Sequence, residues 1–284
     1  FDGKDIYIEA PAEAIVMQGF YRALGHQNDY TEDEGAETVG IQPGTNNLSG
    51  MIHLRRIWTQ NKFTIKPSDD IISIELVNVE VVNVPVLTWL YGRPQNDGSG
   101  TLGYANAGDA YSPIMPDDLK HEMYRKSLTY TPTSMTVTTD DKGRSNYAFD
   151  YWQYENKRTG TAVTYADREK EYKNADGTNS GIYTSLCGNS GKATLDNSAT
   201  YIRFTARIKY IVDDITSPDE IAEEVGNVKY RNAEATYVVH LGYIGGDASD
   251  FNCYRNSKYT YNITVKSVDQ ILLEAFREGE NQPG

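Results

Sequence analysis

Four histidines, His26, His53, His121 and His240, are the first candidates for acid–base or metal chemistry. None stands in an HExxH or HxH spacing, so a zinc hydrolase finds no ligand set here. His240 falls inside a strand pattern, where a core or face position is expected rather than a ligand role. The chain has no GxSxG elbow, no GxxxxGK[ST] loop and no GxGxxG opening a helix, so acyl transfer and nucleotide chemistry lack their usual frames. The acidic pairs Asp69-Asp70, Asp140-Asp141 and Asp213-Asp214 sit in turn-like segments. They miss the EF-hand spacing and read as solvated turn carboxylates rather than a calcium site. A glycosidase needs two carboxylates placed across a sugar, and no such pair stands out among 40 acidic residues. Trp89, Tyr91 and Trp152 are of a type that stacks on saccharides, and core positions suit them equally. Trp152 reads instead as core, because Phe149–Trp152 has the pattern of a buried strand end. No catalytic, metal-binding or cofactor-binding residue emerges.

Two cysteines, Cys187 and Cys253, are too few for a metal cluster or a disulfide scaffold. Each lies in a loop before a strong strand pattern. A bridge between them would tie two loops together and suit an extracellular protein. Two buried free thiols are the other reading.

The elements that must position any site are strands. At 201–210, Ile202, Phe204, Ala206, Ile208 and Tyr210 share one face, and Arg203, Thr205, Arg207 and Lys209 take the other. This is the period of a half-buried antiparallel strand. At 258–266, Tyr259, Tyr261, Ile263 and Val265 oppose Lys258, Thr260, Asn262, Thr264 and Lys266. Over 71–85 the phase slips: Ile72, Ile74 and Leu76 are followed by Val77, Val79 and Val81, which predicts a β-bulge or a change of sheet near Leu76. Further strands are expected around Met51–Ile65, Ser134–Thr138, Tyr147–Tyr151 and Thr236–Tyr243, with a hairpin turn at Asp140-Asp141-Lys142-Gly143. Helix signals are short. Ser217-Pro218-Asp219-Glu220 predicts a helix closed by Gly226, Tyr165–Tyr172 predicts two turns, and Pro116–Lys126 another short piece. Long polar connections run through 94–113 and 174–199. The expected fold is an all-β sandwich with short helices and long loops.

Composition narrows the partners. Tyr, with 22 copies against 7 Phe and 3 Trp, suits strands that are apolar on one side and wet on the other. A balance of 27 basic against 40 acidic side chains leaves a net charge of -13, which repels nucleic acid and anionic membrane surfaces. No run approaches the twenty or so apolar residues that span a bilayer, so the chain is not expected to be integral to a membrane. It opens on Phe1 rather than Met and reads as a processed product whose targeting segment came earlier.

A series of phrases carries a resemblance. It runs from Val16-Met17-Gln18-Gly19 through Leu54-Arg55-Arg56-Ile57 and Val82-Asn83-Val84-Pro85. It continues with Trp152-Gln153-Tyr154-Glu155-Asn156, Tyr165-Ala166-Asp167-Arg168-Glu169 and Ala235-Thr236-Tyr237. It closes with the stretch from Asp250 to Val265, which contains Arg255-Asn256-Ser257-Lys258-Tyr259-Thr260-Tyr261-Asn262-Ile263-Thr264-Val265. In this order, from about residue 15 to the end, the chain resembles the fimbrillin-like surface proteins of Bacteroidia, the subunits and tip or accessory proteins of type V pili. The stretch Trp58-Thr59-Gln60-Asn61 departs from the pattern, since relatives have a more apolar run there.

The resemblance implies a transthyretin-like Greek-key β-sandwich, export as a lipoprotein, proteolytic processing, and attachment at the outer membrane or cell surface. It also implies polymerisation by lending a strand to a neighbour's groove. Residues 1–46 would be the last piece of a preceding N-terminal β domain, 47–270 the fimbrillin-like sandwich, and 271–284 a C-terminal extension. The implied function is non-catalytic: a structural or tip component of a fimbrium, with other fimbrial subunits as partners. The alternative is a saccharide-binding adhesion module that meets a host or bacterial surface protein or glycan. The strand bearing Tyr259, Tyr261, Ile263 and Val265 is expected to be the assembly strand. It would either lie in the core beside the assembly groove or, with Ile271-Leu272-Leu273, pass to the next subunit.

Overall fold

The computed structural model describes residues 6–7, 17–23, 50–56, 58–85, 87–88, 94–96, 102–104, 125–154, 156, 162–169, 199–212, 223–225 and 228–278. Three small antiparallel pairs join β1 (Ile6–Tyr7) to β6 (Leu87–Thr88), β2 (Met17–Ala23) to β3 (Gly50–Arg56), and β7 (Pro94–Asn96) to β8 (Leu102–Tyr104). The other ten strands form two five-stranded sheets. One runs β10 (Thr136–Thr139), β11 (Ser145–Tyr154), β4 (Trp58–Pro67), β15 (Lys258–Val265), β16 (Ile271–Glu278). The second runs β13 (Glu223–Val225), β14 (Val228–His240), β12 (Tyr201–Val212), β5 (Ile71–Pro85), β9 (Arg125–Tyr130). All neighbours are antiparallel except β15 and β4, which run parallel.

The expected alternation becomes the core. Ile202, Phe204, Ala206 and Ile208 of β12 are buried in one cluster with Phe63, Phe149, Tyr151, Tyr261 and Ile263 of the other sheet. Phe149 stacks on Phe63 at a centroid distance of 4.9 Å, and Phe63 stacks on Tyr261 at 4.9 Å. Tyr259, Tyr261, Ile263 and Val265 are each fully buried. Their strand lies inside its sheet, paired with β4 on one side and β16 on the other.

Burying four such side chains is worth roughly 1.5–3 kcal/mol apiece, which together is comparable to the whole stability of an ordinary domain. Truncating the chain after Asn256 is therefore expected to abolish folding. Urea titration followed by circular dichroism should show no cooperative transition, and a cooperative unfolding curve would contradict this.

The phase slip in β5 is a bulge. Thr205 pairs with Asn78 and Ala206 with Leu76, so Val77 is left out of the ladder, and a second irregularity next to Lys209 leaves out Ile72. Ile72 is thus exposed and Ile71 takes the core position that the sequence pattern gives to Ile72. The turn after Thr139 forms as expected, with Gly143 at φ 78 and the Asp140 carboxylate accepting from the backbone of Lys142 and Arg144. Those bonds, led by the Arg144 backbone, hold the Asp140 carboxyl below its usual range.

The helix expected over 217–226 does not extend through Glu223–Val225, which is a strand paired with β14; residues 217–222 and 226 lie outside the described residues. A short isolated helix is marginal, and pairing with a formed strand competes well against it. Of Pro116–Lys126, only Arg125 and Lys126 are described, and they belong to β9. Trp152, expected in the core, is half-buried on the outer face, while Tyr151 and Gln153 point inward. Among the described residues the buried tryptophan is Trp58, stacked on Tyr154 at 4.2 Å. The polar departure at Trp58–Asn61 is accommodated with Thr59 and Asn61 fully buried on the inner face. The segment from Ile271, grouped with the C-terminal extension in the sequence, forms the edge strand β16.

Candidate strand-acceptor edge

A single helical turn organises the site. Thr164 and Asp167 form a capping box at the start of α1 (Tyr165–Arg168), each side chain serving the other's backbone N–H. The expected two turns over 165–172 are one turn within the described residues. The cap delivers Arg168 into the protein, where it is 1% exposed. Its Nη1 donates to the carbonyls of Ala248 (2.8 Å) and Asp250 (2.6 Å), and its Nη2 to those of Leu241 (2.8 Å) and His240 (3.3 Å). The guanidinium also lies 4.0 Å from the centre of the Phe251 ring. A buried cation survives only with such partners.

Glu169 follows directly. One carboxylate oxygen accepts the His240 backbone N–H (3.2 Å), and the other lies 2.8 Å from His240 Nδ1. His240 is fully buried, so it takes the core position expected of it.

The hydrogen-bond phase of β14 decides which of its groups are used. Leu241 N–H donates to the Thr200 carbonyl, and the register with β12 is unbroken. Odd-numbered residues of β14 therefore point their N–H and C=O groups at β12, and even-numbered residues point away. Val228 and Tyr230 meet β13. Beyond them, Asn232, Glu234, Thr236 and Val238 face no further strand among the described residues. Beside this edge runs a groove of about 490 Å³ lined by Tyr165, Glu169, Tyr237, Val238, Val268 and Ile271, among others. Tyr237 Oη donates across it to the Ser267 carbonyl at 2.6 Å, linking the two sheets. The outer face of β16 exposes Leu272 (45%) and Phe276 (52%).

The remaining candidates are dispersed. Cys253 is fully buried beside Asn156, and burial pushes its thiol well above the ordinary range. Cys187, its suggested bridge partner, lies outside the described residues, as do His26, His121, Trp89, Tyr91 and Asp213-Asp214. His53 belongs to β3, opposite Phe20 of β2, and its side chain lies outside the described residues. Asp140 pairs with Arg144 at 2.8 Å and Asp69 with Lys142, as turn carboxylates do. Among the described residues, no three His, Cys, Asp or Glu side chains gather as a metal would require, and no helix is long and apolar enough to cross a membrane. Arg168 and Glu169 stand within one of the phrases that carry the resemblance, but nothing local to them signals burial.

No family model and no curated protein matches the chain. Among solved structures it is similar to the tip fimbrial protein Mfa3 from Porphyromonas gingivalis, at 13% identity over 87% of this chain and 61% of that one, with a TM-score of 0.33. It is similar to a protein from Parabacteroides distasonis assigned to cell adhesion, at 12% identity over 82% of this chain and 61% of that one, with a TM-score of 0.38. It is also similar to a fimbrial protein from Bacteroides vulgatus, at 12% identity over 98% of this chain and 72% of that one, with a TM-score of 0.33. The chain spans about three fifths of the length of the first two. At TM-scores below 0.5 the fold rests on the two sheets themselves.

Proposed function

We propose that this chain is a non-catalytic component of a cell-surface fimbrium, attached at the outer membrane and assembled with other fimbrial subunits by β-strand addition. The observation that carries the reading is the run of outward-facing backbone groups from Asn232 to Val238, without a partner strand among the described residues and beside a groove lined by both apolar and polar side chains. Such an edge offers main-chain hydrogen bonds, and the groove offers pockets for alternate side chains. In this reading β15 is the core strand beside the groove. The segment given to a neighbour is β16, which pairs on one side only among the described strands and has one buried side chain, Leu273.

Thr236→Pro tests it. Proline removes the outward N–H at position 236 without touching the ladder to β12. The variant is expected to keep a cooperative unfolding transition while losing about 1–2 kcal/mol, because proline restrains the strand backbone and the Thr205–Thr236 hydroxyl bond is lost, and to be excluded from fibres on the cell surface. Electron microscopy of the fibres provides the readout, and a folded variant that enters them as readily as the parent would sink the proposal.

A further inference from the structure

We infer that Arg168 and Glu169 act together as a stop that ends the acceptor edge at Val238 and so sets the length and register of the strand it receives. This rests on the strand-addition reading and names the residues that would govern it. His240 is the next residue of β14 whose backbone points outward, and both of its outward groups are already taken. Its N–H is held by the Glu169 carboxylate and its C=O by the Arg168 guanidinium. The two side chains occupy the hydrogen-bonding places of a neighbouring strand. They are held there by the carbonyls of Leu241, Ala248 and Asp250 and by the contact with His240 Nδ1.

At the opposite end, β13 closes the edge at Tyr230. Among the described residues, the window without a partner strand therefore runs from Asn232 to Val238, about 20 Å at the rise of an extended strand. Its occupant is the β16 segment of a second copy. Ile271–Glu278 spans 8 residues, close to the window's length. It carries apolar side chains on both faces, Ile271, Leu273 and Ala275 on one and Leu272 and Phe276 on the other. Either facing puts one apolar set on the core side of the sheet, the side on which β14 presents the small Ala233 and Ala235.

The test uses the full chain and a synthetic peptide of residues 269–280, with amide hydrogen exchange read residue by residue. Without peptide, Glu169→Ala should speed exchange at His240 about tenfold, while Glu169→Gln, whose amide oxygen still accepts the N–H, should leave it near the parent rate. With peptide, the parent should gain protection at Asn232, Glu234, Thr236 and Val238 and none at His240. In Glu169→Ala the added protection should reach His240. Protection that extends to His240 in the parent, or stops at Val238 in Glu169→Ala, would overturn the stop while leaving strand addition standing. Absence of protection anywhere on β14 would overturn strand addition and the stop with it, even where the peptide-free exchange behaves as stated.

Discussion

Replacing Arg168 with leucine should lower the stability of the protein by roughly 3–5 kcal/mol, the cost of leaving buried carbonyls without their donor at about 1–3 kcal/mol each. The guanidinium serves four backbone carbonyls at once, two at the end of β14 and its following residue and two in the 248–250 loop. Leucine fills part of the volume and supplies no donor, so those carbonyls must find water, and the loop must open to admit it. Arg168→Lys should recover little of the loss, because one ammonium on a flexible stem cannot reproduce the planar fork. Urea denaturation is the measurement: a lower midpoint with an unchanged slope is expected, and a midpoint equal to the parent's would show that the loop is held by other contacts.

Gly242→Ala should be comparably damaging for a steric reason. Gly242 has φ +89, which L side chains rarely adopt, and an added Cβ would lie 2.8 Å from the Asp250 carbonyl carbon and 2.9 Å from the Asn252 nitrogen. These are backbone atoms, with no side chain that can rotate away. The conflict also disturbs the Gly242 N–H donated to Tyr261 Oη (3.0 Å) and the Tyr243 N–H donated to the Asp250 carbonyl (2.9 Å). A loss of about 3 kcal/mol is expected from the combined strain and repacking, seen as a fall of about 6–12 °C in the thermal midpoint. Because Arg168 and Gly242 hold the same loop, the double variant should lose less than the two single losses added together. Full additivity would mean that the two residues support separate structures.

The strands legible in the sequence are those with one dry and one wet face. Ile202 to Ile208 and Tyr259 to Val265 are buried at every alternate position, because a strand's period of two is a local property of the backbone. The parity change near Leu76 is equally local and becomes the bulge at Val77. Ile72 is not legible in the same way. Its place outside the core follows from how β5 meets Lys209 and Tyr210 of β12, residues far away in the chain. The cap signals at 217–226 are those of a helix, yet Glu223–Val225 pairs with β14, since a formed strand edge offers hydrogen bonds that a short helix must supply alone.

By itself the sequence determined the all-β character, the core faces of β12 and β15, the bulge and the turn at Asp140–Gly143, all of which depend on neighbours within a few residues. Only the tertiary structure decided that Arg168 is buried, that Glu169 closes His240, and that the edge from Asn232 to Val238 meets no further strand among the described residues. An arginine next to a glutamate reads as solvated surface in any local window. Its burial becomes favourable only when carbonyls from residues 240, 241, 248 and 250 converge on one guanidinium. That convergence is set by the packing of segments about 70 to 80 positions away in the chain, where no short-range pattern can register it.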